Sequence, residues 1–188
     1  MGPEARGTAF LGILKHVRVA FGADTVTQAI ASAPASTRDV LSRRVLKLRW
    51  YPYDAYAGFL RLLADRFASG NLDYCRELGT VAAYRDLNTV LKIFRVLYGP
   101  QRLIQSCTRV WAQYYRNAGS MTALSSEPHD TRLRIDNFPA MDPAHCKLME
   151  GWMMGAMAVL GAEVNDDGRE IKCCSRGDAW HEFACTWK

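Results

Sequence analysis

The apolar positions of the first fifty residues fall on helical spacing. Phe10, Leu11, Leu14, Val17 and Phe21 recur at steps of three and four, which predicts a helix over Thr8 to Phe21 closed by Gly22. Asp24 is placed to cap a second helix carrying Val26, Ala29 and Ile30, and Ser36 or Thr37 to start a third with Val40, Leu41 and Val45 inward. Ala33-Pro34-Ala35 reads as the linker in this region. Residues 1–44 are therefore expected to form an N-terminal helical extension that covers part of a core domain spanning 45–188.

Leu46 to Trp50 reads as extended, because it precedes Pro52. Tyr53 to Ala68 predicts a helix burying Tyr56, Phe59, Leu60, Leu63 and Phe67, with Gly70 behind it. A long helix is expected over Leu72 to Leu97, with Leu78, Val81, Leu87, Val90, Leu91, Phe94 and Leu97 as its apolar positions. Pro100 opens the next, carrying Leu103, Ile104, Cys107, Val110 and Trp111 and reaching Asn117. The period then changes to two: residues 121–124 and 131–136 read as antiparallel strands. Asp142-Pro143 starts a helix to Leu160, and residues 169–187 read as a terminal hairpin turning at Arg176-Gly177-Asp178. Helices first and strands late predict an α+β fold, with a helical N-terminal half packed on a four-stranded antiparallel sheet.

Composition narrows the function classes. The chain has 188 residues, a formal charge of +5 and six cysteines. That length is ample for a core without disulfide staples. The basic residues are scattered, so no nucleic-acid stripe is expected. No signal peptide or apolar stretch of membrane-spanning length is evident, so a cytoplasmic protein with reduced thiols is the expectation. The sequence has no Gly-rich phosphate loop, no His-Glu-x-x-His and no serine nucleophile elbow, so no enzyme is expected.

The terminal hairpin concentrates chemistry: Glu170, Cys173, Cys174, His181 and Cys185 surround the Gly177-Asp178 turn. A turn at 176–178 would set Cys173 opposite His181, where a thiol and an imidazole could share a metal ion. In a regular strand Glu170 and Cys173 point to opposite faces, so joint ligation requires a bulge or a bend near Lys172. Without one, Cys174 would take the place of Cys173. The bland alternative is that these cysteines are small buried hydrophobes. His145 reads as a solvated residue at a helix start, and Cys75 and Cys107 as core.

These residues carry a resemblance. The 4-vinyl reductase domain, a small sensory domain related to heme–nitric-oxide domains and Golgi transport-complex subunits, ends in Glu-x-x-Cys-x-x-x-Gly-Asp-x-x-Cys-x-Phe. Glu170, Cys173, Gly177, Asp178, His181 and Phe183 match that pattern, with His181 where the family usually has its last cysteine. The segment from Trp50-Tyr51-Pro52 through Gly79 is also similar to myxobacterial paralogues of related fold. The resemblance implies a 4-vinyl-reductase or heme-NO-binding-like fold over residues 45–188. It further implies a zinc ion held by Cys146, Glu170, Cys173 and His181, Cys146 standing where zinc-containing members take a ligand from the preceding helix.

Aromatic residues suggest a second site. Phe59, Tyr84, Phe94, Trp111, Tyr114, Tyr115 and Trp152 lie on predicted helices that must pack on one sheet. They are simple core residues or, as the resemblance implies, the walls of a pocket for a small hydrophobic ligand. Phenol-sensing members use a mid-domain histidine, and none occurs between His16 and His129, so phenol sensing is not expected. The resulting expectation is a non-catalytic sensory or regulatory domain with a structural zinc, acting through a homodimer or protein partner. The alternatives are a ligand-free interaction module and a heme-based gas sensor, the latter requiring His145, Cys146 or His181 as axial ligand.

Overall fold

The computed structural model describes residues 1–89, 91–97, 99–125, 127 and 129–188, without the side chains of residues 94 and 95. The expectations for Val90 and for the Phe94 side chain lie outside the described residues.

The chain opens on a strand. β1 (Glu4–Arg6) leads into α1 (Gly7–Phe21), α2 (Ala23–Ala31) and α3 (Ala35–Leu41). β2 (Trp50–Pro52) precedes α4 (Tyr53–Phe67), α5 (Asp73–Asn88), α6 (Lys92–Leu97), α7 (Pro100–Gln105) and α8 (Cys107–Tyr114). Then come β3 (Tyr115–Arg116), β4 (Ser120–Ser125), β5 (Asp130–Asp136), α9 (Pro143–Val159), β6 (Arg169–Lys172) and β7 (His181–Thr186). The expected four-stranded antiparallel sheet is present in the order β4-β5-β7-β6. The architecture is α+β. None of the described helices is long and apolar enough to cross a membrane.

A second, three-stranded sheet, β2-β1-β3, was not expected. β1 is its central strand, with Ala5 opposite Tyr51 on one side and Tyr115 on the other. The stripe of α1 is buried as expected at Phe10, Leu14 and Val17, with Ile13 completing it. Phe10 packs on Tyr51, Tyr56 and Phe59.

Two long helices expected from the pattern are broken. The Leu72–Leu97 run stops at Asn88 because side chains there compete for the last carbonyls. Asn88 Nδ2 donates to the Tyr84 carbonyl at 2.6 Å and Thr89 Oγ1 to the Arg85 carbonyl at 2.8 Å. The helix expected to reach Asn117 breaks at Ser106, and Tyr115 leaves it to pair with Ala5 as β3.

α5 and α9 form the tightest crossing. A Cβ on Gly151 would overlap the Arg76 carbonyl, and one on Gly79 would overlap the Leu148 carbonyl. A Cβ on Gly155 would lie 3.0 Å from the Thr80 Cα. Glycine at these places lets the two backbones touch, and Thr80 Oγ1 closes the contact by donating to the Gly151 carbonyl at 3.2 Å. Asp142 caps α9 by accepting the Ala144 N–H, and Pro143 occupies the first turn, where its missing N–H costs nothing. This crossing fixes the helix that carries Cys146 and one wall of the main cavity.

Candidate functional site

The first site lies where the start of α9 meets the β6–β7 hairpin. The strand carries the irregularity that joint use of Glu170 and Cys173 requires. Its register on β7 shifts between Glu170, opposite Phe183, and Lys172, opposite Glu182, so the extra residue is Ile171. α9 secures the bulge, since Glu150 Oε1 accepts the Glu170 N–H at 3.0 Å. Beyond β6 a 3₁₀ turn at Cys174–Arg176 leads to Gly177, whose φ of +95° is a left-handed conformation that glycine adopts without steric cost. Asp178 then folds back, and its carboxylate accepts the Cys173 N–H at 2.7 Å. That bond explains the Gly-Asp pair: the turn aims Cys173 inward.

One donor atom from each of Cys146, Glu170, Cys173 and His181 lies within 4.8 Å of the others, and all four residues are buried. The Cys146 and Cys173 sulfurs are 4.0 Å apart, and Cys146 Sγ is 3.6 Å from His181 Nδ1. Two thiolates at ordinary zinc–sulfur distance in a tetrahedron are about 3.8 Å apart, and a thiolate and an imidazole about 3.6 Å. His181 Nδ1 and Glu170 Oε1 are closer, at 2.8 Å. Two thiols, an imidazole and a carboxylate suit zinc rather than magnesium or calcium.

The tautomer of His181 sharpens the point. Its Nε2 lies 3.2 Å from the Phe138 carbonyl, which only accepts, so Nε2 carries the proton. In the neutral ring Nδ1 then presents a lone pair to a carboxylate oxygen that also only accepts. A proton on the ring or a cation among the four atoms resolves this clash. Burial pushes the Glu170 carboxyl up, but hydrogen bonds from His181 with a proton on Nδ1 and from the Cys173 and Cys146 thiols outweigh it and hold the group below its usual range. Arg176 Nη1 supports its other oxygen at 3.3 Å. Burial, reinforced by the Glu170 charge and Cys173, pushes the Cys146 thiol well above its usual range, so without a cation it stays protonated.

Cys174 stands outside the cluster and is partly exposed. Cys174→Ser is therefore expected to change stability by less than about 0.5 kcal/mol and to leave any bound metal in place, as read by thermal melting and elemental analysis. Cys185 is buried elsewhere, beside Gly168. Cys75 and Cys107 are core thiols pointing at the Leu60 and Met121 carbonyls.

His145 corrects an expectation. It is fully buried rather than solvated, ringed by Tyr53, Tyr56, Trp111 and Tyr115. The α9 start is roofed by these aromatics, which the local sequence does not reveal. The Tyr53 hydroxyl accepts the Asp142 N–H at 2.9 Å and donates to His145 Nδ1 at 3.0 Å. Burial, with the nearby His181, pushes the His145 pKa down to about 3, so the ring is neutral.

The second site is an apolar cavity lined by α1, α4, α5, α7, α8, α9 and residues of β3, β4 and β5. It is narrow: the volume in which the centre of a water molecule fits is about 60 Å³. Of the aromatics singled out in the sequence, Trp111, Tyr114, Tyr115 and Trp152 line it. Phe59 does not; it stacks on Phe10 in the N-terminal core. Tyr84 does not either, being 50% exposed on the outer face of α5. Met149, Met153 and Met157 supply the α9 wall, and flexible thioethers let such a wall adapt. At one end stand three polar residues, Arg85, Asp86 and Tyr114, of which sequence reasoning missed the two charged ones. Asp86 is 2% exposed, yet its place on a helix facing apolar neighbours carries no local signal of burial.

No protein-family model matches the chain. A search of curated proteins likewise finds no match. Solved structures do match. An H-NOX protein from S. oneidensis in the Fe(II)NO ligation state is 13% identical with a TM-score of 0.73, the match covering 97% of this chain and 99% of that one. An Fe(II) unliganded H-NOX protein from K. algicida is 11% identical with a TM-score of 0.71, covering 97% and 96%. An oxygen-binding H-NOX domain related to soluble guanylate cyclases is 12% identical with a TM-score of 0.68, covering 97% and 95%. The chain thus has an H-NOX-like fold over nearly its whole length.

Proposed function

We propose that the chain is a non-catalytic sensor domain of the 4-vinyl reductase type that holds a small, mainly apolar ligand in the cavity between α5, α8 and α9. The observation that carries this reading is the cavity itself, about 60 Å³ of apolar space walled by Trp111, Tyr115, Trp152 and methionines flexible enough to widen it for a single ring. Ligand entry would reposition α9, which also carries Cys146. Occupancy would thereby reach the hairpin and a partner chain or second copy docked there. A titration followed by Trp111 and Trp152 fluorescence tests it. Single-ring aromatic compounds are expected to give a saturable change, and silence across such a panel would favour a ligand-free interaction module.

In this reading the Cys146, Glu170, Cys173 and His181 cluster holds one zinc ion. Four protein ligands leave no open position for water, so the ion is structural and ties the hairpin to α9. The clash of lone pairs between His181 Nδ1 and Glu170 Oε1 supports a cation there.

A heme-based gas sensor is the second reading, and the names of the structural neighbours favour it. Those proteins are described with ferrous iron, nitric oxide, oxygen and heme distortion. The residues around this cavity do not fit the group. None of the described lining residues is a histidine; His145 stands behind Trp111 and Tyr115, its Nδ1 engaged with Tyr53 and its Nε2 buried without a hydrogen-bond partner. Burial holds the Cys107 thiol and the Tyr114 and Tyr115 phenols above their usual pKa ranges, and so in the protonated forms that bind iron poorly. A Soret band in protein purified with heme available would establish the second reading, and its absence is expected.

A further inference from the structure

The polar end of the cavity specifies what the ligand carries. Asp86 accepts from Arg85 Nε at 2.9 Å, from Arg85 Nη2 at 2.5 Å and from Trp152 Nε1 at 3.2 Å. Two donors beside it are not used. Arg85 Nη1 and the Tyr114 hydroxyl are buried without a hydrogen-bond partner, and both residues line the cavity. Tyr114 is only 7% exposed. Burial, with the Asp86 carboxylate close beside the hydroxyl, keeps its phenol protonated, so the group remains a donor for which Asp86 competes. Gly12 makes the arrangement possible, because a Cβ there would collide with the Arg85 guanidinium lying across α1.

Buried donors without partners are uncommon and costly, so a pair of them on two residues that line one cavity points to a missing acceptor. The charge balance limits its nature. Arg85 and Asp86 already neutralise one another, and an additional buried carboxylate would face the Asp86 charge without a counter-ion of its own. We infer that the ligand is an apolar body ending in one neutral oxygen acceptor, a ketone, quinone or lactone carbonyl, which takes hydrogen bonds from Arg85 Nη1 and the Tyr114 hydroxyl. This deepens the proposed function and rests on the cavity being a ligand site.

The test compares three probes of similar shape, acetophenone, ethylbenzene and benzoate, titrated calorimetrically into the full chain and into Tyr114→Phe. That variant removes one hydroxyl and keeps the ring, so the fold is retained. Acetophenone is expected to bind about tenfold more tightly than ethylbenzene, the worth of about one net hydrogen bond, and benzoate more weakly than acetophenone. In Tyr114→Phe the preference for the ketone over the hydrocarbon should shrink to about threefold or less, while ethylbenzene affinity is retained. Equal binding of ketone and hydrocarbon in both proteins would overturn this inference and leave the ligand site standing. Preferential binding of benzoate would overturn the neutral acceptor. Failure of all three to bind would remove the ligand site itself, and this inference with it.

Discussion

Serine in place of Cys173 is expected to abolish metal retention and to lower the free energy of unfolding by about 4 kcal/mol. Cys173 stands at the junction of three elements. It directly follows β6, its sulfur lies 4.0 Å from that of Cys146 on α9, and it shares the cluster with His181 on β7. In the proposed centre, removing one thiolate loosens the hold on the ion and leaves a ring proton alone to reconcile His181 Nδ1 with Glu170 Oε1 in a buried space. Some anchoring survives, since Glu150 still accepts the Glu170 N–H and Asp178 the Cys173 N–H. The hairpin should therefore loosen rather than vanish, with retained helix and lost protection in β6. Acid acts with the same sign, because protons compete with the metal for both thiolates and the imidazole. Cys185→Ser is the control: it is buried outside the cluster and should keep the metal while losing some packing. Denaturant unfolding with elemental analysis checks the set. Wild-type protein that carries no metal yet matches Cys173→Ser in stability would refute the metal centre.

Gly151→Ala is expected to be the most damaging single-methyl change, at about 3 kcal/mol or more. Helix propensity alone argues the other way, since alanine is favoured over glycine by about 1 kcal/mol inside a helix. Packing decides the sign. The added Cβ would overlap the Arg76 backbone carbonyl, and backbone cannot swing aside as a side chain does. Relief requires moving α5 from α9, which would open the cavity wall at Met149, Met153 and Ala82. Ligand affinity should fall together with stability. Gly2→Ala, where a Cβ would meet nothing, provides the contrasting neutral case. Thermal melts of the two variants read the difference, and equal melting would contradict the tight crossing.

How much of this was legible in the sequence depends on the length of the pattern. α1, α4 and α9 repeat their apolar stripe over several turns, so their extents were readable within a residue or two. β1 and β3 were not, because three and two residues give too little alternation to detect, and their pairing partners lie far along the chain. The need for a bulge followed from Glu170 and Cys173 lying on opposite faces of a regular strand. Its place at Ile171 is set by Glu150 reaching across from α9, a contact invisible locally. Buried polar residues were the hardest part. His145, Glu150 and Asp86 look solvated in sequence, and only the packing of α5 and α9 shows each with its partner or its aromatic enclosure. Trp152 and Tyr84 look alike as helical aromatics, yet one lines the cavity and the other faces water, because helix rotation is fixed by neighbours elsewhere.

The most direct test of the ligand site is methyl NMR of protein carrying labelled methionines, titrated with acetophenone. Of the seven methionines, Met121, Met149, Met153 and Met157 line the cavity, whereas Met1, Met141 and Met154 do not. The four lining methyls are expected to shift together and saturate, with the other three nearly unmoved. Absence of any saturable shift, or shifts confined to Met1, Met141 and Met154, would contradict the assignment of this cavity as the sensing site.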